Sequence, residues 1–135
     1  MNTIANPSPA KTIIFLVDDD DSMLNLITAI LDSAGYEVRP FQRAALALKE
    51  FPIVKPLLVI TDYVMESMNG MDLIRECHRL NSGQKTILVS GTVDGRIFAD
   101  SPVKPDLFLA KPFYPKELLD CVRKLTDGPA SRFRG

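Results

Sequence analysis

Residues 13–21 have the sequence IIFLVDDDD, an apolar run that ends abruptly in four aspartates. Five consecutive apolar residues, rich in β-branched side chains, are typical of a strand that is covered on both faces, as in a parallel sheet. Residues 23–34 then carry apolar side chains at helical spacing, and Gly35 follows, a residue common after the last turn of a helix. The stretch therefore predicts a buried strand, an acidic turn and an amphipathic helix.

The same alternation of strand and helix recurs along the rest of the chain. The patterns predict strands over residues 36–41, 57–61, 86–89 and 107–110, and helices over residues 43–51 (closed by Pro52), about 71–80, and from Pro115 onward. Parallel strands need crossover connections, which are usually helical. Five short strands that alternate with helices therefore predict an α/β fold, with one parallel sheet covered by helices on both faces.

The segment between the last two strands departs from this alternation. Residues 92–100 have the length for two helical turns, but Pro102 and Pro105 prevent their continuation. We therefore expect the fourth of the five helices to be short or irregular.

Length and composition are those of an ordinary globular domain. The chain has 135 residues, of which 46% are hydrophobic and 24% charged, so neither wholesale disorder nor a fibrous repeat fits. A formal net charge of −1 removes the general electrostatic argument for binding to nucleic acid or to an anionic membrane surface. No apolar run approaches the roughly 18 residues that a bilayer-spanning helix needs, so no membrane insertion is expected.

The two ends of the chain and its cysteines bear on organisation and location. Residues 1–11 are polar, contain two prolines and lack the apolar region of a secretory signal, so a flexible leader is expected. Residues 12–126 are expected to form the single domain, and residues 127–135 a flexible tail. Cys77 and Cys121 have neither CxxC spacing nor the density of a disulfide scaffold. A reduced, cytoplasmic protein is therefore expected.

Polar residues follow four of the predicted strands at the point where each strand ends. They are Asp18 to Asp21 after the first strand, Asp62 after the third, Ser90 after the fourth, and Lys111-Pro112 after the fifth. In open parallel sheets the ligand site lies beyond the carboxyl ends of the strands, at the switch point in strand order. Carboxylates, a hydroxyl and an ammonium group are therefore expected to meet in one crevice.

These residue types in one crevice point to magnesium-assisted phosphoryl chemistry. Crowded carboxylates repel one another unless a cation is present, and a hard divalent ion such as Mg²⁺ takes oxygen ligands. A carboxylate can itself accept a phosphoryl group, while the metal, the hydroxyl and the ammonium neutralise the charge on the phosphoryl oxygens. The sequence has neither a P-loop nor a GxGxxG turn.

Five segments in this order resemble the receiver domains of two-component response regulators. They are Phe15-Leu16-Val17-Asp18-Asp19-Asp20, Ile60-Thr61-Asp62-Tyr63-Val64-Met65, Met68-Asn69-Gly70, Val89-Ser90-Gly91 and Lys111-Pro112-Phe113. No single segment is specific, but all of them in order, each beside a strand end, is a strong signal. The resemblance covers residues 12–126 and implies a flavodoxin-like, doubly wound (βα)5 fold with strand order 2-1-3-4-5.

The resemblance also implies a role for each residue at the acidic site. Asp62 is the implied phosphoacceptor. The implied Mg²⁺ ligands are Asp19 directly, Asp18 largely through water, Asp62, and the backbone carbonyl of Val64. Asp20 and Asp21, by contrast, suit the N-cap and first turn of the following helix, where carboxylates bind free N–H groups.

Three further positions complete the implied site. Ser90 would bind a phosphoryl oxygen, and Lys111 would pair with the phosphoryl group. Phe108 takes the position of the aromatic switch residue, without the hydroxyl of a tyrosine. The Lys111–Pro112 peptide is implied to be cis, an isomer that is essentially confined to X–Pro bonds.

By this resemblance the chain is a CheY-like, single-domain response regulator. Its implied partner is a histidine kinase or a histidine phosphotransfer protein, with a downstream protein target that the sequence does not name. It would be no enzyme beyond catalysing its own phosphorylation. The short stretch after the last helix leads us to expect no DNA-binding output domain, and hence no direct nucleic-acid contact.

Four other interpretations stay open. The chain could be the receiver of a hybrid histidine kinase, although Met1 and the leader count against this, or a degenerate receiver that binds partners without phosphate. A phosphohydrolase with an aspartyl intermediate usually has a second acid two residues after the nucleophile, where this chain has Val64. A flavin carrier on the same sheet would meet repulsion between its phosphate and the four aspartates.

Overall fold

The computed structural model describes residues 11–91 and 99–126, which form one five-stranded parallel sheet between two layers of helices. The strands are β1 (Ile13–Val17), β2 (Glu37–Phe41), β3 (Leu58–Asp62), β4 (Lys85–Ser90) and β5 (Leu107–Ala110). Their spatial order is β2-β1-β3-β4-β5, and each pair of neighbours is parallel. The predicted strand order and the flavodoxin-like fold class are thereby confirmed.

The helices are α1 (Asp21–Ser33), α2 (Ala44–Val54), α3 (Gly70–Leu80) and α4 (Pro115–Thr126). Successive side chains of β1 point to opposite faces of the sheet, so both helical layers share this strand. Ile14 and Leu16 pack in the core that includes residues of α1 and α4, whereas Phe15 and Val17 pack with α2 and α3. All four side chains are almost fully buried, which explains why the strand is apolar without alternation.

Short polar side chains begin the helices that flank the site. Asp20 is the N-cap of α1, and its carboxylate accepts hydrogen bonds from the N–H groups of Ser22 and Met23. Asn69 is the N-cap of α3 and forms a capping box with Asp72. The structure thus confirms the capping role predicted for Asp20.

Helix α2 does not end where the sequence indicated. Pro52 was expected to close it at Phe51, but the helix continues through the proline to Val54, and Lys55 ends it in the left-handed conformation with φ of 55°. The N–H of Lys55 donates to the carbonyl of Phe51, whose side chain is buried, so packing and this C-terminal hydrogen bond hold the last turn.

Several expectations fall on residues that the structure does not describe. The leader except for Lys11, the tail, and most of the short helix expected between the fourth and fifth strands lie there, in residues 1–10, 127–135 and 92–98. Residues 99–106 form turns and contain no helix. Within the described parts of the chain, no helix has the length and apolar character that crossing a bilayer requires.

Candidate functional site

Three carboxylates meet where β1 and β3 end. Asp18 and Asp19 directly follow β1, and Asp62 is the last residue of β3, the neighbouring strand. One carboxylate oxygen from each lies within 4.8 Å of the other two. Asp18 is buried, Asp62 is partly buried and Asp19 is exposed, so the cluster opens to solvent on one side. The crossover connections between the parallel strands thus bring together residues that lie more than forty positions apart in the sequence.

Lys111 supplies a positive charge to this cluster. Its Nζ lies 3.2 Å from Oδ1 of Asp62, within hydrogen-bonding distance, and 3.8 Å from Oδ2 of Asp18. The backbone N–H of Lys111 donates to the carbonyl of Ser90, which aligns the end of β5 with the end of β4. The peptide bond between Lys111 and Pro112 is cis.

The carboxylates carry more negative charge than the lysine balances. Burial is the main cause that raises the pKa of Asp18 to about 6, and the nearby charge of Asp62 adds to the effect. Burial also raises the pKa of Asp62, although the ammonium of Lys111 works in the opposite direction. Two of the three clustered carboxylates thus have a raised pKa. A bound divalent cation would balance the negative charge of all three, and a hard ion takes oxygen ligands, so these residues fit Mg²⁺.

The other predicted site residues lie around this cluster. Ser90 is buried at the end of β4, beside the strand that carries Asp62. Val64 is exposed in the loop after β3. Phe108 is partly buried and packs on the core formed by Met71, Ile74 and Leu88.

Gly70 is a part of the site to which the sequence analysis assigned no role of its own. It is the first residue of α3, and its N–H donates to the carbonyl of Tyr63, which closes the loop after Asp62. A Cβ at this position would lie 2.4 Å from the backbone oxygen of Asp62. The helix therefore approaches the acidic residue closely enough that no side chain fits between them.

A cleft of about 260 Å³ beside Asp19 also escaped sequence analysis. Its walls come from the start of α2 and from the loop after β3, and they include Gln42, Arg43, Met65 and Glu66. The two wall segments are more than twenty residues apart, and neither has a pattern that marks it as part of a site. Only the packing of α2 beside α3 places them opposite each other.

The strand order and the position of the site define a flavodoxin-like protein, with its site at the switch point between β1 and β3. The sequence model of the response regulator receiver domain matches residues 14–123. The chain therefore belongs to the family of response regulator receiver domains, the signalling modules of two-component systems.

Two relatives illustrate the similarity in sequence. The chain is 29% identical over 113 residues to the response regulator receiver protein CpdR of Brucella abortus, with 83% of this chain and 94% of CpdR covered. It is 33% identical over 113 residues to the DNA-binding response regulator MtrA of Mycolicibacterium smegmatis, with 82% of this chain covered. That match covers 48% of MtrA, so the chain spans about half the length of this relative.

Two solved structures illustrate the similarity in fold. A CheY-like receiver domain protein from Methanospirillum hungatei has a TM-score of 0.80 and 27% identity, with 90% of this chain and 99% of that chain covered. The response regulator TrrA from Thermotoga maritima, solved in complex with Mg²⁺-BeF, has a TM-score of 0.75 and 27% identity. The coverage there is 84% of this chain and 98% of TrrA.

Replacing Asp18 with asparagine is expected to stabilise the metal-free protein at pH 7. The folded-state pKa of about 6 lies above the unfolded value of 3.8, so ionised Asp18 opposes folding by about 2 to 3 kcal/mol. The gain of Asp18→Asn should be absent below about pH 4, grow as the pH rises through the interval between these values, and reach its full size above pH 6. Urea unfolding in EDTA at several pH values measures it, and a variant no more stable than the native chain at pH 7 would contradict it.

Replacing Lys111 with methionine is expected to have the opposite effect. Without the ammonium, the carboxylates of Asp18 and Asp62 lose their nearest positive charge, which should cost about 1 to 3 kcal/mol of unfolding free energy in EDTA. Combined with Asp18→Asn, the loss should shrink, because less negative charge then needs balancing. Strict additivity of the two changes in urea unfolding would show that the charges do not interact.

Proposed function

We propose that this protein accepts a phosphoryl group on Asp62 from a phosphohistidine and switches its protein contacts in response. The single observation that carries the proposal is the placement of Asp62 in a cluster of three carboxylates with the ammonium of Lys111 3.2 Å away. A lone structural carboxylate needs no such surroundings, whereas a phosphoryl acceptor needs both a metal site and a cation for the incoming oxygens.

The proposed reaction is a single transfer to the carboxylate. An oxygen of Asp62 attacks phosphorus, and the P–N bond to the protonated donor imidazole breaks with its electron pair passing to the nitrogen. The imidazole leaves as a neutral group, because it keeps the proton that its other ring nitrogen already carried. The products are an acyl phosphate on Asp62 and a neutral histidine on the donor, so neither an oxidant nor a further co-reactant is needed. In the protein itself this is self-phosphorylation rather than turnover of a free substrate.

Each of the residues around Asp62 would have its own part in neutralising the negative charge of the phosphoryl group during this reaction. Asp18, Asp19, Asp62 and the carbonyl of Val64 would hold Mg²⁺, which supplies charge neutralisation at the phosphoryl oxygens when bound. Lys111 would move from the carboxylate to a phosphoryl oxygen, and the hydroxyl of Ser90 would donate to another. Both stand at strand ends in the same edge of the sheet as Asp62. Phe108 would transmit the change of charge at Asp62 to other parts of the protein through the core that it contacts.

The proposed partners are a histidine kinase or a histidine phosphotransfer protein upstream, and a protein target downstream. The proposed location is the cytoplasm, where such donors act. The name of MtrA includes DNA binding, but about half of MtrA lies outside the match, and we propose no nucleic-acid contact for this domain.

Incubation of the native chain with Mg²⁺ and acetyl phosphate tests this function by intact mass. We expect a gain of about 80 Da that requires Mg²⁺, is lost with EDTA and is removed by hydroxylamine, as an acyl phosphate is. If the mass stays unchanged, the experiment is repeated with a phosphorylated histidine phosphotransfer protein. Failure with both donors would overturn the proposal in favour of a receiver that binds partners without phosphate.

A further inference from the structure

Helix α2 has an outward face with an apolar residue at each end and opposite charges between them. Leu46 and Ile53 are 51% and 74% exposed, and Lys49 and Glu50 lie between them. The spacing i, i+3, i+4, i+7 places all four on one side of the helix. The buried side, which contacts the sheet, is formed by Ala44, Ala47 and Phe51, so the exposed face points directly away from the core.

The two charges on this face have no partner in the parts of the chain that the structure describes, residues 11–91 and 99–126. Among the residues that the structure describes, neither Lys49 nor Glu50 makes an ion pair or a side-chain hydrogen bond. Elsewhere on the helices, opposite charges three or four residues apart do pair, as in Arg75 with Asp72 and Lys116 with Asp120. Adjacent residues on a helix point in different directions, which keeps Lys49 and Glu50 apart.

A groove runs along the same side of the helix. It has a volume of about 360 Å³, and its walls are Leu46, Lys49 and Glu50 of α2 together with residues 39–41 of β2, the edge strand. Pro40 lies in that strand and has no N–H to offer to another strand, so the edge does not favour pairing by sheet extension. A contact made through the face of α2, rather than through an added strand, therefore suits this edge of the molecule.

We propose that this face joins two copies of the chain, with their α2 helices side by side and parallel about a two-fold axis. Lys49 and Glu50 flank the apolar line on opposite sides. In the parallel arrangement, each Lys49 meets Glu50 of the second copy, and this happens twice because of the symmetry. In an antiparallel arrangement about a two-fold axis, each charge would instead face the same residue of the second copy. Lysine would then lie opposite lysine and glutamate opposite glutamate, and like charges would repel. The charge pattern therefore selects the second copy as occupant and the parallel orientation.

The interface is expected to be small and the association weak. Helix α2 has 11 residues and a length of about 16 Å, which limits the contact to less than the roughly 1,200 Å² of a stable complex. Leu46 and Ile53 would each stack on the same residue of the second copy. The face contains no residue of the acidic cluster, so the interaction does not depend on the proposed function.

Sedimentation velocity over a concentration series, from about 5 µM to about 1 mM, tests the proposal on the full chain. We expect the native chain to change from monomer to dimer within this range. Lys49→Glu and Glu50→Lys should each weaken the dimer at least about tenfold, because each places like charges opposite one another. Both positions are at the surface of the helix, and circular dichroism checks that the variants fold.

Charge exchange provides the matched controls. The double variant Lys49→Glu/Glu50→Lys keeps opposite charges across the axis and should restore association. A mixture of the two single variants should form a mixed dimer, although neither associates alone. A native chain that stays monomeric at about 1 mM, or single variants that associate as the native chain does, would overturn the proposal and leave this face to a different protein.

Discussion

Asp62→Asn is expected to abolish phosphorylation by acetyl phosphate, with a loss of more than about 100-fold in rate. The amide of asparagine lacks the nucleophilic carboxylate oxygen, while its size and shape preserve the packing at the end of β3. The pKa of Asp62 is raised mainly by burial, so the substitution also removes a charge that is costly to bury, and the variant should fold. Intact mass over time, at saturating Mg²⁺, measures the rate.

The matched control is Asp20→Asn, only two residues from Asp18 but outside the carboxylate cluster. Asp20 caps α1 through its side-chain oxygen, and asparagine serves equally well as an N-cap. This variant should be phosphorylated within about twofold of the native rate, because it leaves Asp18, Asp19 and Lys111 in place. Phosphorylation of Asp62→Asn at the native rate would show that another residue is the acceptor.

Gly70→Ala is expected to lower the free energy of unfolding by at least about 3 kcal/mol. The added Cβ would lie 2.4 Å from the backbone oxygen of Asp62 and 2.7 Å from Cδ1 of Leu88. The leucine side chain is fully buried, and the oxygen belongs to the backbone of a central strand, so neither can move aside cheaply.

Gly83→Ala is the control for this prediction. Gly83 lies in the exposed turn before β4, and a Cβ there has no atom within 4 Å. Its substitution should change the free energy of unfolding by no more than about 0.5 kcal/mol. Urea unfolding of both variants measures the difference, and a Gly70→Ala variant as stable as Gly83→Ala would show that α3 can shift away from Asp62.

Some elements of the fold were predictable because their physical cause is local. The bounds of β1 and β5 match the sequence prediction, as does the start of α4 at Pro115. A strand that is buried on both faces must be continuously apolar, and proline suits the first turn of a helix wherever the helix lies. The same holds for Asp20, whose short carboxylate reaches the free N–H groups of its own helix.

Other elements depended on contacts that no local pattern encodes. The continuation of α2 through Pro52 opposes the local preference of proline and depends on the burial of Phe51. The need for glycine at position 70 comes from the backbone of Asp62, which is close in space only because α3 packs back onto β3. The walls of the cleft beside Asp19 likewise come from the start of α2 and the loop after β3, two segments that meet through packing.

The candidate site lies between these two cases. Its residue types and their places at strand ends are written in the amino-acid sequence, since a parallel sheet brings the carboxyl ends of its strands to one edge. The tertiary structure alone decided that Lys111 stands 3.2 Å from Asp62 and that Asp18 is buried while Asp19 is exposed. The reason is physical: the identity of a side chain is local, but its distance from a charge and its access to water depend on how distant segments pack.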